Sequence, residues 1–131
     1  MPELPATRVV LCDDEPDMRL LMRLTLESEP ALEIVGEAAD ATSALASIVE
    51  LEPHVALVDL SMPGMDGLEL IPRIRELAPA TGIVVYTALV SPRAEARAWE
   101  AGADRVLKKG APLEQLREMT RQVARERGGV G

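Results

Sequence analysis

The most informative stretch of this chain is Val55-Ala56-Leu57-Val58-Asp59-Leu60-Ser61-Met62-Pro63-Gly64-Met65-Asp66-Gly67. Four apolar residues lead directly into the carboxylate of Asp59, and the chain then turns at a proline and two glycines. A short apolar run between turn signals predicts a strand that is buried on both faces of a parallel sheet. Asp59 then stands at the carboxyl end of the strand, where open α/β sheets place ligand sites. The alternative is a strand-end aspartate that only hydrogen-bonds the turn.

The composition indicates one soluble globular domain. A length of 131 residues, with 47% hydrophobic and 27% charged residues, suits a single domain with its own core. The net charge of −8 argues against direct binding of nucleic acid. We expect no membrane association, since no apolar run reaches about 18 residues. Cys12 is the single cysteine, which excludes an internal disulfide and suits a reducing compartment, so we expect a cytoplasmic protein.

Outward from this stretch, strand and helix patterns alternate along the chain. Apolar runs predict strands over 8–12, 32–38, 55–59, 82–87 and 105–108. Helical spacing predicts helices over 17–27, over 41–51, from 66 or 67 to about 78, over 92–100, and from 112 onward. Asp40 and Ser91 are the expected N-caps of the second and fourth helices. Five such pairs with short connections predict an α/β fold, a doubly wound five-stranded parallel sheet with helices on both faces.

We expect residues 1–127 to form this domain and residues 128–131 to be a glycine-rich tail or the start of a linker.

The first helix carries apolar residues on two faces. Its inward stripe is predicted to be Met18, Leu21, Met22 and Leu26. Leu20 and Leu24 are one turn apart and point away from that stripe. This pair indicates a surface for a partner, either a kinase or a second copy of the chain.

Polar side chains follow the predicted strands at the carboxyl edge of the sheet. They are Asp13 and Asp14 after the first strand, Asp59 after the third, Thr87 after the fourth and Lys108 after the fifth. Three neighbouring carboxylates repel one another unless a cation compensates them. Mg²⁺ suits such hard oxygen ligands. A carboxylate can also act as a nucleophile towards phosphorus, while a metal ion and a lysine neutralise the transferred group.

At this point the sequence resembles the receiver domain of two-component response regulators over roughly residues 8–124. Asp13-Asp14 resembles the acidic pair of that family, and the segment 59–67 resembles the one around its phospho-accepting aspartate. Thr87-Ala88 is similar to the switch Ser/Thr with its small neighbour. The segments 34–40 and 101–104 are most similar to NarL/FixJ-type regulators. The resemblance implies a flavodoxin-like sheet with strand order 2-1-3-4-5.

The resemblance also implies roles for the acidic residues. Asp59 would accept a phosphoryl group from the phosphohistidine of a histidine kinase. Asp14 and Asp59 would ligate Mg²⁺ together with the backbone carbonyl of Ser61, and Asp13 would help through a water molecule. These four residues are the expected acceptor and metal site.

The resemblance further assigns Thr87 and Lys108 to the phosphoryl oxygens. Two departures from the family pattern follow from that assignment. Arg105 stands three residues before Lys108, where receivers usually have an aromatic residue that couples phosphorylation to the output face. Lys109 stands after it, where many receivers have a proline in a cis peptide, and we expect a trans bond there because a non-proline cis bond costs about 3 kcal/mol.

The expected function is therefore a signalling switch that catalyses only its own phosphorylation and dephosphorylation. NarL/FixJ-type regulators usually carry a C-terminal helix-turn-helix domain, so the expected output is transcription regulated through an attached or partner domain. Phosphorylation could also drive homodimerisation through Leu20 and Leu24. The rival interpretation is a Mg²⁺-dependent phosphohydrolase that forms an aspartyl phosphate with a small substrate. That enzyme would need a second carboxylate where this chain has Ser61.

Overall fold

The chain folds as five parallel strands that alternate with five helices. A computed structural model describes residues 5–88 and 91–127, so the expected tail at 128–131 lies outside the described residues. The strands are β1 (Thr7–Cys12), β2 (Leu32–Ala38), β3 (Val55–Val58), β4 (Gly82–Thr87) and β5 (Arg105–Lys108). The helices are α1 (Pro16–Glu27), α2 (Ala41–Leu51), α3 (Gly67–Leu77), α4 (Pro92–Ala101) and α5 (Leu113–Glu126). The sheet order β2-β1-β3-β4-β5 confirms the predicted topology.

Two apolar layers cover the sheet, one on each face. One layer packs α2, α3 and α4 against alternate residues of the strands, among them Val10 and Val58. The other packs α1 and α5 against the intervening residues, among them Val9 and Leu57. Alternation of this kind follows from the two-residue period of a strand. The central strand β3 is buried along its whole length, as its continuous apolar sequence predicted.

The helix starts follow local sequence rules. Asp40 accepts a hydrogen bond from the Ser43 amide at 2.8 Å, and Ser91 accepts one from the Ala94 amide at 3.1 Å. Both predicted N-caps are therefore confirmed. Within the described ranges, none of the helices is both long and apolar enough to cross a membrane.

The loop after β3 is held close to its own start. Asp66 caps α3 by accepting a hydrogen bond from the Leu68 amide at 2.8 Å. A Cβ atom added to Gly67 would lie 2.6 Å from the Cα of Leu60, so a larger residue would push the loop away from the helix. Glycine is therefore required here by close backbone approach rather than by its dihedral freedom.

Helix α1 corrects one expectation about its inward stripe. Met22 and Leu26 are buried, and Met18 packs against the same layer. These three residues are four apart and form a single row on the helix. Leu21 was expected in that stripe but is 50% exposed. It is turned by about 100° from Met22, which takes it off the row that contacts the sheet.

At the amino ends of β4 and β5, one carboxylate is enclosed by two guanidinium groups. Asp104 Oδ1 lies 2.7 Å from Arg127 Nη2, and Asp104 Oδ2 pairs with Arg75. The Ile83 amide also donates to Asp104 Oδ2, at 2.8 Å. Arg75 in turn donates to the carbonyl of Gly102 at 2.9 Å. This cluster joins α3, α5 and the starts of two strands.

Candidate functional site

The carboxyl edge of the sheet carries a row of polar residues directly at the strand ends. Asp13 follows β1, Asp59 follows β3, and Lys109 follows β5. Their amides still donate into the sheet: Asp59 to the carbonyl of Cys12 at 2.9 Å, and Lys109 to the carbonyl of Thr87 at 2.9 Å. Continued pairing therefore fixes the backbone of each residue, while its side chain reaches over the edge of the sheet.

Asp59 is buried and lies at the centre of this group. Its Oδ1 accepts hydrogen bonds from the Ser61 amide at 3.1 Å, from Ser61 Oγ at 2.9 Å and from Thr87 Oγ1 at 2.9 Å. Its Oδ2 accepts one from Lys109 Nζ at 2.9 Å. Burial acts to raise the pKa of Asp59, but the donors from Lys109, Ser61 and Thr87 outweigh burial and hold this pKa below its usual value. Asp59 is therefore a carboxylate at neutral pH.

Lys109 is the cation of the site. Its Nζ lies 2.8 Å from Asp13 Oδ2 and 2.9 Å from Asp59 Oδ2, and Glu15 is at 3.6 Å. Burial acts to lower the pKa of Lys109, but the contacts with Asp13 and Asp59 raise it well above its usual value. The side chain, 11% exposed, is thus held as a charged ammonium between two carboxylates.

Lys108, the lysine expected at the site, does not reach it. Lys108 is the last residue of β5, pairs in register with Thr87 and is exposed. It lies two residues after Val106 and therefore on the same sheet face, whereas the residue beyond the strand end turns towards the carboxylates. The prediction of Lys108 is therefore corrected to Lys109. Lys109 shares this placement with Asp13 and Asp59, which also lie one residue beyond their strands.

With Lys109 as the site lysine, both departures from the family pattern fall on other residues, one position later in the chain. The residue three positions before Lys109 is Val106 and not Arg105. Val106 packs against the layer of α2, α3 and α4. Arg105 instead pairs with Glu126 of α5. The residue after the lysine is Gly110, at φ 106°. Throughout residues 5–88 and 91–127 the peptide bonds are trans, as expected for the bond between Lys108 and Lys109.

The acidic residues fit a divalent cation. Asp13, Asp14 and Asp59 each offer a carboxylate oxygen, and these oxygens lie within 4.8 Å of one another. The buried Asp13 Oδ2 faces the Lys109 ammonium but has no hydrogen bond of acceptable geometry. An exposed carboxylate next to two buried ones leaves room for water, which Mg²⁺ usually keeps in its coordination shell. The donors are all hard oxygens, which matches Mg²⁺ better than a softer metal.

Three contacts at the site were not expected from sequence. Lys109 replaces Lys108, the Ser61 hydroxyl binds Asp59, and Arg19 of α1 donates from Nη1 to the backbone carbonyl of Asp13 at 2.6 Å. The Ser61 hydroxyl lies two residues from the carboxylate it binds, a local pattern that sequence can suggest. No local pattern identifies Arg19, since its contact depends on how α1 packs beside β1.

Comparison with known proteins supports the resemblance. The family model of the response regulator receiver domain matches residues 9–121. A protein-glutamate methylesterase/protein-glutamine glutaminase from Agrobacterium fabrum is 40% identical over 107 residues, which cover 80% of this chain and 30% of that protein. The transcriptional regulatory protein LiaR from Bacillus subtilis is 35% identical over 119 residues, which cover 90% of this chain and 56% of LiaR. The chain therefore spans about a third to a half of these relatives.

Solved structures agree with this assignment. The signal receiver domain of the putative response regulator NarL from Mycobacterium tuberculosis has a TM-score of 0.87 and 32% sequence identity. The match covers 92% of this chain and 98% of that one.

Proposed function

Since this chain belongs to the response regulator receiver domain family, we propose that it is a phosphorylation switch whose acceptor is Asp59. The single observation that carries the proposal is the environment of that carboxylate. Asp59 is buried and ionised, and both the Lys109 ammonium and the Thr87 hydroxyl lie within hydrogen-bond distance of it. These groups can hold phosphoryl oxygens while the carboxylate acts as the nucleophile.

The proposed donor is the phosphohistidine of a histidine kinase. A carboxylate oxygen of Asp59 forms a bond to phosphorus as the bond from phosphorus to the imidazole nitrogen breaks. The electron pair of the broken bond stays on the imidazole, which takes up a proton. Lys109 then pairs with the phosphoryl group, so its ammonium keeps a negative partner throughout the transfer.

Mg²⁺ is the proposed cofactor of this reaction. Asp14 and Asp59 would ligate it together with the backbone carbonyl of Ser61, and Asp13 would contact it through water. The bound cation would offset the repulsion among the carboxylates and the negative charge of the incoming phosphoryl group.

The proposed switch begins with Thr87. Its hydroxyl donates to Asp59 Oδ1 before phosphorylation and would turn to a phosphoryl oxygen afterwards. That movement would shift the chain after β4 and bias a surface formed by α4, β5 and α5. Val106 stands where receivers usually have an aromatic residue. The change in the surface of α4, β5 and α5 would therefore occur without an aromatic ring at that position.

The test of the acceptor is labelling with acetyl phosphate and Mg²⁺, measured by intact-protein mass spectrometry. Wild-type protein should gain one phosphoryl group, and Asp59→Ala should gain none. Asp17→Asn, which removes an exposed carboxylate of α1, is the matched control and should label like the wild type. Labelling of Asp59→Ala at the wild-type rate would refute the assignment.

The rival phosphohydrolase is less well supported. The hydrolase would need a carboxylate two positions after Asp59 for acid–base catalysis, and that position is Ser61. The Ser61 hydroxyl donates a hydrogen bond to Asp59. A cleft of about 370 Å³ between α3 and α4 is lined by Asp66, Arg97 and Glu100 and includes none of the site residues. Sustained release of phosphate from p-nitrophenyl phosphate would favour the hydrolase, whereas we expect no turnover.

For the output, we propose regulation of transcription through an attached or partner domain, with a cytoplasmic site of action. LiaR is named a transcriptional regulatory protein, and its match covers more of this chain than the match with the methylesterase does. The competing output is an enzyme domain of the methylesterase kind. The reading frame downstream of Gly131 discriminates between them: a helix-turn-helix sequence supports the proposal, and an esterase sequence overturns it.

We also propose that Leu20 and Leu24 form a surface for a second copy of the chain after phosphorylation. They are 55% and 62% exposed on α1, and Leu21 lies beside them. Three exposed leucines on one helix form an apolar patch larger than a single exposed side chain. Phosphorylated wild-type protein should sediment as a dimer, and the double variant Leu20→Glu, Leu24→Glu should remain a monomer.

Leu77→Glu is the control for this surface, because Leu77 is 53% exposed on α3 and belongs to another face. This variant should still dimerise. If the double variant dimerises normally but accepts phosphate from a histidine kinase much more slowly, α1 binds the kinase and the dimer proposal is wrong.

A further inference from the structure

Arg19 of α1 bridges the acidic site and the edge strand β2. Its Nη1 donates to the backbone carbonyl of Asp13 at 2.6 Å, and its Nε donates to Glu37 Oε1 at 3.2 Å. The side chain is 19% exposed, so it lies mostly within the protein and makes both contacts from one rigid guanidinium plane.

The Asp13 carbonyl belongs to the peptide that joins Asp13 to Asp14. The sheet continues only as far as the Asp13 amide, which donates to the carbonyl of Ala38 at 3.0 Å. The next carbonyl has therefore left the sheet, and Arg19 is the group that fixes it. Within the described parts of the chain, the Asp14 carboxylate is exposed and has no hydrogen bond or ion pair. The direction of the Asp14 side chain thus depends on the Asp13–Asp14 peptide, whose carbonyl Arg19 holds.

Arg23 provides an internal comparison one helical turn away. It also contacts Glu37, with Nε donating to Oε2 at 2.9 Å, and it pairs with Glu27 at 3.3 Å. Its described contacts are with these two carboxylates and do not include Asp13. Arg19 and Arg23 therefore carry the same charge and share a partner, and they differ in the contact with the acidic site.

From these contacts we infer that Arg19 is a positioning residue, which orients the Asp13–Asp14 peptide and thereby sets the affinity of the site for Mg²⁺. The inference rests on the proposed function only in taking the acidic residues as the metal site. It adds a residue outside the ligand set and ties the metal site to α1, the helix that exposes Leu20 and Leu24.

The sign of the effect separates positioning from plain electrostatics. If Arg19 acted only through its positive charge, removal of that charge would strengthen the binding of a cation. If Arg19 positions the peptide, its removal weakens binding, because Asp14 then has to be ordered by the metal itself. Arg23→Gln removes an equal charge from the neighbouring turn and reports the electrostatic effect alone.

The experiment measures the dissociation constant of Mg²⁺ by isothermal titration calorimetry on the unphosphorylated chain. Arg19→Gln should raise it on the order of tenfold, as expected for loss of a residue that orients ligands. Arg23→Gln should leave it within about twofold of the wild type or tighten it slightly. Equal constants for the two variants, or tighter binding by Arg19→Gln, would overturn the inference.

Two further measurements separate positioning from misfolding. Thermal unfolding in EDTA should show similar losses for Arg19→Gln and Arg23→Gln, since each loses a contact with Glu37 and one further contact, with the Asp13 carbonyl or with Glu27. Labelling by acetyl phosphate should be slow for Arg19→Gln at limiting Mg²⁺ and recover at saturating Mg²⁺. If Arg19→Gln does not fold, Arg19→Lys keeps one donor and should give an intermediate affinity, and wild-type affinity in Arg19→Lys counts against the inference.

The result is independent of phosphoryl acceptance. Mg²⁺ binding is measured without a phosphodonor, so failure of wild-type protein to label sinks the proposed function and leaves the comparison of Arg19 with Arg23 intact. Wild-type binding of Mg²⁺ with unchanged affinity in Arg19→Gln sinks only the inference about Arg19.

Discussion

The two edges of the central sheet carry ionic clusters with opposite balances of charge. At the amino ends of β4 and β5, Asp104 is enclosed by Arg75 and Arg127 and also accepts the Ile83 amide. One negative group thus faces two positive groups. Burial acts to raise the pKa of Asp104, but Arg127, the Ile83 amide and Arg75 together lower it. The charge of Asp104 is therefore compensated by side chains of the protein itself.

The carboxyl edge has the reverse arrangement. Asp13, Asp14 and Asp59 lie close together, and the Lys109 ammonium pairs with Asp13 and Asp59. The cluster keeps an excess of negative charge that a divalent cation can balance. The two edges therefore differ in charge balance: Asp104 is compensated by side chains of the protein itself, whereas the carboxyl edge is the proposed site of a cation.

The largest effect is expected from the lysine of the carboxyl edge. Lys109→Ala removes the ammonium next to Asp59 and should slow labelling by acetyl phosphate on the order of 10²-fold, as loss of one charge-stabilising donor usually does. Lys108→Ala is the matched control, since Lys108 is exposed and away from the site, and its rate should stay within about twofold. The rates are measured by mass spectrometry, and the reverse order would restore Lys108 as the site lysine.

The second effect contrasts an aspartate from each edge. Asp104→Asn leaves Arg75 and Arg127 without their carboxylate and should reduce the free energy of unfolding by about 2–3 kcal/mol. Asp13→Asn loses its contact with Lys109, but Lys109 keeps Asp59 as a partner and the repulsion among the carboxylates falls, so in EDTA it should cost less than Asp104→Asn. Urea denaturation measures both. Equal losses would mean that the two clusters do not differ in the way their charges suggest.

The third effect concerns the metal. Mg²⁺ at ten times its dissociation constant should add about 1.4 kcal/mol to the free energy of unfolding of the wild type. Asp104→Asn should keep this increment, since Asp104 lies at the other edge, and Asp13→Asn should lose most of it. Removal of the metal by EDTA should return the wild type to its starting stability. An increment that survives in Asp13→Asn would place the cation elsewhere.

The smallest effect is the pH dependence of the amino edge. The folded-state pKa of Asp104 is lowered, so its stabilising contribution is fully present above the ordinary aspartate pKa and is lost as pH falls through the folded value. The difference in stability between wild type and Asp104→Asn should therefore be constant around neutral pH and narrow in acid. Urea denaturation at a series of pH values checks this, and a gap that widens in acid would contradict it.

Much of the fold could be predicted because its signals are local. The apolar runs of β2, β4 and β5 have the predicted bounds, and single residues predict the N-caps at Asp40 and Ser91. Each of these features depends on near neighbours in the chain, through the periods of helix and strand and through short-range hydrogen bonds. Asp13, Asp59 and Thr87 could be brought together in the same way, since every parallel strand ends at the same edge.

The predictions that were wrong concern residues whose contacts depend on the direction of a side chain, at the end of a strand or around a helix. Lys108 and Lys109 are adjacent and chemically identical, and only the point where β5 ends sends Lys109 to Asp59. Leu21 fits a helical stripe by spacing, yet the angle at which α1 lies on the sheet leaves it half exposed. A one-residue shift reverses direction in a strand and turns it by about 100° in a helix, so small boundary errors change partners completely.

The class of the fold and the acidic chemistry of its carboxyl edge could be predicted from the residues alone, because local periodicity and the common end of parallel strands specify them. The strand order was implied by the resemblance to receiver domains. Folding of the sheet and packing of the helices on it fixed which lysine meets Asp59, that Arg19 holds the Asp13 peptide, and that Asp104 is balanced by two arginines. The contacts of Asp59 and Asp104 join distant parts of the chain, and Arg19 reaches Asp13 only through the placement of α1 beside β1, so the geometry of all three exists only in the folded protein.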